Sequence, residues 1–419
     1  MARAIRGLRF LQGMKSFDVV PITETVSHAL REGSRDDKVL LRVVPPKQSE
    51  ASSWYETGIE LNRAFHRLDE KSSVLRTKNN SETYGMEIWY ENESVNFYLT
   101  VPDEVEEDHF RRQISGRFSG SDIDRVIERE DKFLKGEEGE YIGATKLGLK
   151  RHFFEPLRHP LSDGDDMEDD PYQTLLPEID TKDGARAMVQ VLFRPAREKW
   201  TKLHFMDVDY YANRLEEDGI TNSRLFGFGG DRVQSDDAAA SVAMRIRQQE
   251  KKPAFHVDVR IVVIADSEKR VQHQLNTITT LYEQVYRTEI GQSLIPYGDT
   301  RSIIPQLVRR ESDTLKMPTG IRNYFKFNFR RNCKYVVLTI PELTGLVHFP
   351  VGSEINVDGI TWNDSVVKGT LPPNAPKYQP VPETERAEWA ANMGIQNPLL
   401  GDEELLGESE EDSETVVQQ

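Results

Sequence analysis

Apolar and polar residues alternate along several stretches of this chain, and each alternation predicts a strand. VLLRVVPP at 39–46 is a short apolar run closed by two prolines, which predicts a buried strand that stops there. YGMEIWYENESVNFYLTVP at 84–102 alternates on both sides of Glu91-Asn92-Glu93-Ser94 and predicts a hairpin. YIGATKLGLK at 141–150 predicts a strand that returns before the first unit ends. ARAMVQVLFRP at 185–195 reads as a strand closed by Arg-Pro. AFHVDVRIVVIAD at 254–266 is the strongest strand pattern, because β-branched residues dominate it.

Between these runs the period lengthens. In 54–70, residues Trp54, Ile59, Leu61, Phe65 and Leu68 share roughly one helical face. EVEEDHFRRQISGRF is helical with acidic residues in its first turn, where the macrodipole favours them. DDAAASVAMRIRQQEKK at 236–252 carries Asp237 near its start and two lysines at its end. SEKRVQHQLNTITTLYEQVYR at 267–287 predicts a long helix with Ser267 as N-cap. Its stripe is Val271, Leu275, Ile278, Leu281 and Val285. Residues 320–362 return to strand-like patterns, with a second hairpin, EINVDGITW, expected around Asp358-Gly359.

The order strand, helix, strand pair, helix occurs twice. It predicts an α+β fold of two ferredoxin-like (split βαβ) units with antiparallel or mixed sheets. The expected organisation is an N-terminal segment at 1–36, a first α+β unit at 37–160 and a second at 172–370 with a terminal hairpin. The charged stretch SDGDDMEDDP at 162–171 reads as a solvated acidic loop, either the boundary between them or a surface excursion. A proline-rich linker at 371–383 follows, then 384–419 with one short helix and an acidic tail expected to be disordered.

Charge adds a constraint. The chain carries 70 acidic against 54 basic residues, a net charge of −16. An acidic surface poor in lysine suggests a salt-adapted host, where screening relieves self-repulsion. The same balance argues against an electrostatic grip on DNA by the whole surface. No apolar run approaches the ~20 residues that span a bilayer. The basic start, MARAIRGLRFLQGMKSF, has too short an apolar stretch for a signal peptide. The single cysteine, Cys333, admits no internal disulfide and fits a cytoplasmic setting.

Candidate chemistry is sparse. Gly227, Gly229 and Gly230 in RLFGFGGDR lack the spacing of a phosphate loop and read as a hairpin loop. His204, Asp207 and Asp209 suggest a metal, but strand alternation puts only the two aspartates on one face, and no metal is expected. His152 and His159 near Glu155 have no nucleophile beside them and read as a surface loop. Cys333 reads as a small buried residue. NYFKFNFRRNCKYVVL at 323–338 interleaves basic and aromatic residues. There Tyr324, Lys326 and Arg330, with Arg331, are candidate nucleic-acid contacts through stacking and phosphate pairing. The simpler reading of that stretch is a two-sided strand with phenylalanine in the core and its cations snorkelling.

Three segments carry a family resemblance. VQVLFRPAREKW at 189–200, KKPAFHVDVRIVVIA at 251–265 followed by a long helix, and IPELTGLVHFP at 340–350 occur in this order. Together they resemble the region that precedes the motor domain in archaeal conjugation-type DNA-translocation ATPases of the HerA–FtsK class, over roughly residues 85–375. The matching positions are Gln190, Arg194, Pro195, Trp200, Leu343, His348 and Pro350. In that family a Walker A loop comes next, but no G-x-x-x-x-G-K-[ST] occurs here, so the ATPase activity is not carried over. The resemblance implies a non-catalytic module without cofactor that acts with a separate translocation ATPase, peripheral to any membrane complex. His348 is expected to pack and to hold the chain direction before Pro350, without catalysis. A nucleic-acid-binding protein using the strand around 324–334 is the alternative.

Overall fold

The computed structural model describes residues 17–363, apart from 24–37, 48–52, 73–82, 127–135, 161–166, 219–235, 312–335 and a few shorter stretches. Tyr324, Lys326, Arg330, Arg331, Cys333, the three glycines of 227–230, His204, the linker and the acidic tail lie outside the described residues.

Ten strands form one antiparallel sheet. In chain order they are β1 (Val19–Pro21), β2 (Val39–Val44), β3 (Tyr84–Glu91), β4 (Ser94–Val101), β5 (Asp122–Arg125), β6 (Tyr141–Leu149), β7 (Arg186–Pro195), β10 (Ala254–Ala265), β11 (Leu294–Tyr297) and β12 (Val336–Thr339). The two-residue strands β8 (Lys202–Leu203) and β9 (Met206–Asp207) pair with each other. Eight helices are described: α1 (Trp54–Ser72), α2 (Glu104–Arg117), α3 (Pro171–Leu175), α4 (Val208–Asp218), α5 (Asp236–Gln248), α6 (Glu268–Val285), α7 (Thr300–Arg309) and α8 (Ile340–Leu346).

Across the sheet the strands run β1-β6-β10-β7-β3-β4-β2-β5, with β11 also on β6 and β12 also on β10. The early strands therefore lie in the order β3-β4-β2-β5 and the later ones in the order β7-β10-β6-β11. The two sets meet where β3 pairs with β7, Ile88 opposite Val189. β6 thus does not return to the early strands but lies beside β10 in the later set.

The hairpin forms as the alternation predicts. Glu91 faces Ser94, and Asn92 and Glu93 both take positive φ, 51° and 58°, the paired left-handed turn that suits the strand twist. One face of the sheet presents Ile88, Tyr90, Phe97, Val189, Phe193, Val259 and Ile261 to the main core. There Leu61 and Phe65 of α1, Phe110 and Ile114 of α2, and Val271, Leu275 and Ile278 of α6 close over it. Phe65 stacks on Phe110 at 4.5 Å and meets Phe193 edge-on at 5.0 Å. α6 lies so close to β6 that a Cβ at Gly143 would stand 2.6 Å from Val271, so only glycine fits there. The opposite face has a smaller core, in which Ile303, Ile304, Leu307 and Val308 of α7 pack on Ile142, Ala144, Met188, Val262 and Ile264.

Three expectations are corrected. Residues 340–346 are not strand but helix α8: Thr339 donates both its N–H (2.8 Å) and its hydroxyl (2.6 Å) to the Glu342 carboxylate, and Pro341 sits in the first turn. Proline has no N–H for a ladder and its fixed φ suits a helix start, so the cap overrides the apolar pattern. Around Asp358-Gly359 the chain turns, with Gly359 at φ +87°, but among the described residues no second hairpin forms. Instead Ile360 bridges Val95 and Asn363 bridges Pro46, so this segment uses strands already built. The stretch around Glu155 is not a surface loop, because Phe153, Phe154, Glu155, Leu157 and His159 are all buried.

Candidate functional site

Residues that face one another on successive strands share a face, and one such row crosses the whole sheet. Reading the registers from edge to edge gives Asp124, Arg42, Tyr98, Glu87, Gln190, Arg260, Lys146 and Tyr297. The four central members are buried, Glu87, Gln190 and Arg260 completely. Charges so placed persist only if they are paired and hydrogen-bonded.

They are. Arg310 clamps Glu87 bidentately, Nε to Oε1 at 2.6 Å and Nη2 to Oε2 at 3.0 Å. Gln190 Nε2 donates to Glu87 Oε1 at 2.8 Å, and Trp89 Nε1 donates to Oε2 at 2.9 Å. Arg260 Nη1 donates to Gln190 Oε1 (2.9 Å), its Nη2 to Asp258 (2.8 Å), and Lys146 reaches the same Asp258 oxygen at 3.1 Å. Burial pushes the Glu87 carboxyl up, but the Arg310 charge and the donated hydrogen bonds outweigh it and hold the group below the usual carboxylate range.

Three cations, Lys146, Arg260 and Arg310, meet two carboxylates, Glu87 and Asp258. The surplus faces the end of α7. Gln306 O accepts from Arg260 at 2.8 Å, Leu307 O from Gln190 at 3.2 Å, Glu311 O from Arg260 and Arg310 O from Lys38. These carbonyls are the negative end of the helix dipole, so the cations cap α7 and fix it to the sheet. Lys38 is pushed down to about 8, first by burial and then by Arg310 and Arg260. The donors and acceptors of the row are turned on one another, an arrangement that holds elements in place.

A second polar cluster lies under the main core. His348 is fully buried between Asp170 Oδ1 (3.0 Å from Nε2) and Thr344 O (2.9 Å from Nδ1). Its ring stacks on Tyr172 at 4.0 Å and lies 4.5 Å from Trp54. In a third cluster the Tyr211 hydroxyl donates to Glu155 at 2.6 Å, and the His152 ring stacks on Tyr211 at 4.8 Å. Desolvation pushes His152 down to about 3.

The structure spreads the sequence-derived site residues over different places. Gln190 belongs to the polar row. Arg194 is half-buried and Pro195 buried at the end of β7, opposite His256 and Phe255. Trp200 is buried and donates from Nε1 to Lys252 O at 3.1 Å. Leu343 and Pro350 are buried on either side of His348. Asp209 is exposed in the first turn of α4, so it does not continue a strand face with Asp207. Among the described residues no three of His, Cys, Asp or Glu stand together as a metal-holding group. Glu87, Lys146, Asp258, Arg260, Arg310 and Asp170 were not signalled as a set. The available sign was a charged or amide residue in the middle of each apolar strand run.

Fold and site together define an α+β protein built on one long antiparallel sheet with a buried polar row. The chain belongs to the family described as a domain of unknown function, DUF8128, whose model matches residues 14–362. No curated protein matches it. Among solved structures, a crystal structure of aclacinomycin oxidoreductase is similar with a TM-score of 0.28 and 8% identity, over 69% of this chain and 49% of that one. The chain spans about half the length of that oxidoreductase, and so low a TM-score carries no argument.

Proposed function

We propose that the chain is a non-catalytic interaction module of an archaeal conjugation-type DNA-translocation system, and that it acts with a separate ATPase. In this reading the early and late strand sets are two ferredoxin-like units joined edge to edge. The strand orders β3-β4-β2-β5 and β7-β10-β6-β11 support it, since each is the order of a split βαβ sheet. The observation that carries the functional reading is the placement of the residues on which the resemblance rests. Gln190, Pro195, Trp200, Leu343, His348 and Pro350 are buried and Arg194 is half-buried. Positions used for packing and for fixing α7 and α8 belong to a scaffold rather than to a reaction centre. Among the described residues no helix is long and apolar enough to cross a membrane.

The test is to mix the purified chain with a conjugation-type Walker A ATPase of the same host and run gel filtration in molar potassium chloride. Co-elution with a changed ATPase rate is expected, because apolar protein contacts survive salt. Separate elution and an unchanged rate overturn the proposal. Binding of single-stranded DNA that is lost on replacing Tyr324 and Arg330 with alanine would favour a nucleic-acid-binding protein instead.

A further inference from the structure

The hydrogen bonds of His348 require more protons than a neutral imidazole carries. Nδ1 faces the Thr344 carbonyl, which has no hydrogen to give, so Nδ1 donates. Nε2 faces Asp170 Oδ1 at 3.0 Å, and that contact also needs a hydrogen. A neutral ring has only one N–H. A second proton therefore sits between Nε2 and Oδ1. The pair is either imidazolium with carboxylate or imidazole with carboxylic acid, and the proton count is the same.

The surroundings favour the charged form. Tyr172 stacks nearly parallel on the ring, with 15° between the planes, an arrangement in which a π-face attracts a cation. Asp170 Oδ1 also accepts the Tyr172 N–H at 2.8 Å as the cap of α3. Asp170 Oδ2 is buried with no hydrogen-bond partner, so the carboxylate's one described charged contact is the ring. The other titratable groups around the pair are Tyr90 on β3, Tyr172, Tyr282 and Tyr286, Tyr55 on α1, Glu342 on α8, and Glu354. Burial pushes all five tyrosines up, so they stay neutral. Glu342 is pushed up by burial and drawn back by Thr339 and Leu157, while Glu354 accepts the Trp54 N–H at 2.8 Å. None of them brings a competing cation.

We infer that Asp170 and His348 form a proton-dependent clasp, in which the native fold takes up one proton to tie the start of α3 to the end of α8 and loosens there when that proton leaves. The clasp closes a long loop of chain, since the two residues are 178 positions apart. Beside it α1 presses in through Gly58, where a Cβ would stand 2.7 Å from Thr344 and 3.1 Å from His348. Three elements thus converge on one shared hydrogen.

The sign follows from linkage. A native state that holds one proton more than the unfolded chain is stabilised at low pH and loses that stability as pH rises. Other groups act differently. His152 and His159, pushed down by burial to about 3 and about 4, stay neutral when folded and weaken the fold only as pH falls below the ordinary histidine range. Lys38, pushed down to about 8 by burial, gives up its proton in the fold before it does in the unfolded chain, so stability rises with pH above that value. Between about pH 7 and 8 an unfolded histidine is already largely neutral, and what His152, His159 and Lys38 still contribute is common to wild type and to a variant at Asp170, so the difference between the two isolates the clasp.

The experiment measures the folding equilibrium by urea denaturation across that window for wild type and for Asp170→Asn. Relative to the variant, the wild-type folding constant should fall as pH rises, the ratio of the two approaching tenfold per pH unit. Asparagine cannot replace the shared oxygen: if its oxygen caps Tyr172, the ring loses its counter-charge, and if its amide turns to the ring, the cap is lost. Should that variant not fold, NMR of wild type labelled at the histidine nitrogens and the aspartate carboxyl carbons decides, with His348→Gln to assign the signals. Both ring nitrogens of His348 protonated at pH 7, or one bare ring nitrogen beside a protonated Asp170, support the clasp. One bare ring nitrogen beside an ionised Asp170, or equal slopes for wild type and variant, overturns it.

Discussion

Arg310 shows how much one side chain is asked to do. It caps α7 in a left-handed conformation, φ 51°, and sends its guanidinium back to Glu87. Removing one partner of a buried pair leaves an uncompensated charge, which costs roughly 3–5 kcal/mol, whereas replacing both with apolar residues of similar size is often neutral. Arg310→Met should therefore lower the urea midpoint sharply, Glu87→Gln with Arg310→Met should recover much of the loss, and the double-mutant cycle should show strong coupling. Additive losses would mean that the clamp is not the source. The glutamate's own contribution is present above the ordinary carboxylate range and fades as pH falls below it, because its folded value is lowered.

Little of this was legible in the sequence. The alternation in YGMEIWYE gives a strand, and Glu87 interrupts it, but nothing local says that the partner lies 223 residues away. His348 was singled out, yet Asp170 was hidden in an acidic run that reads as a solvated loop. A charge run has many acidic residues, and only tertiary contact reveals which one is buried.

Among the elements, local pattern served the long ones well. The hairpin at 84–101, the all-buried β10 and the helix over 268–285 follow from alternation, branching and a 3.6-residue stripe. It failed where a cap or a bridge decides. Helix α8 has only seven residues, and its start rests on Glu342. That carboxylate accepts the Thr339 N–H and hydroxyl, and its other oxygen accepts the Leu157 N–H at 2.8 Å. Glu342→Ala leaves two buried N–H groups unpaired, at about 1–3 kcal/mol each, whereas Thr339→Ala keeps both backbone bonds and should cost about 1 kcal/mol. Thermal midpoints of the two variants check the ranking, and a milder effect for Glu342→Ala would refute it.

Over the whole molecule, the chain carries an acidic excess, while the buried row beneath α7 sets three cations against two carboxylates. A net charge of −16 repels itself, and the repulsion is screened over about 3 Å in 1 M salt against about 10 Å at 0.1 M. The melting temperature should rise from dilute buffer to molar potassium chloride, because the paired interior is shielded from salt and the surface is not. An unchanged melting temperature would remove the reading of a salt-adapted protein.

The row from Glu87 to Lys146 also works as a key in a lock. Strands slide past one another in steps of two residues without turning their side chains over. For β7 against β3, such a step would set Glu87 opposite Met188 or Leu192 and strand a carboxylate among hydrocarbon. An apolar seam of valines and isoleucines would forgive that error. This seam does not, so the chain that finds its pairing partner is also told where along it to stop.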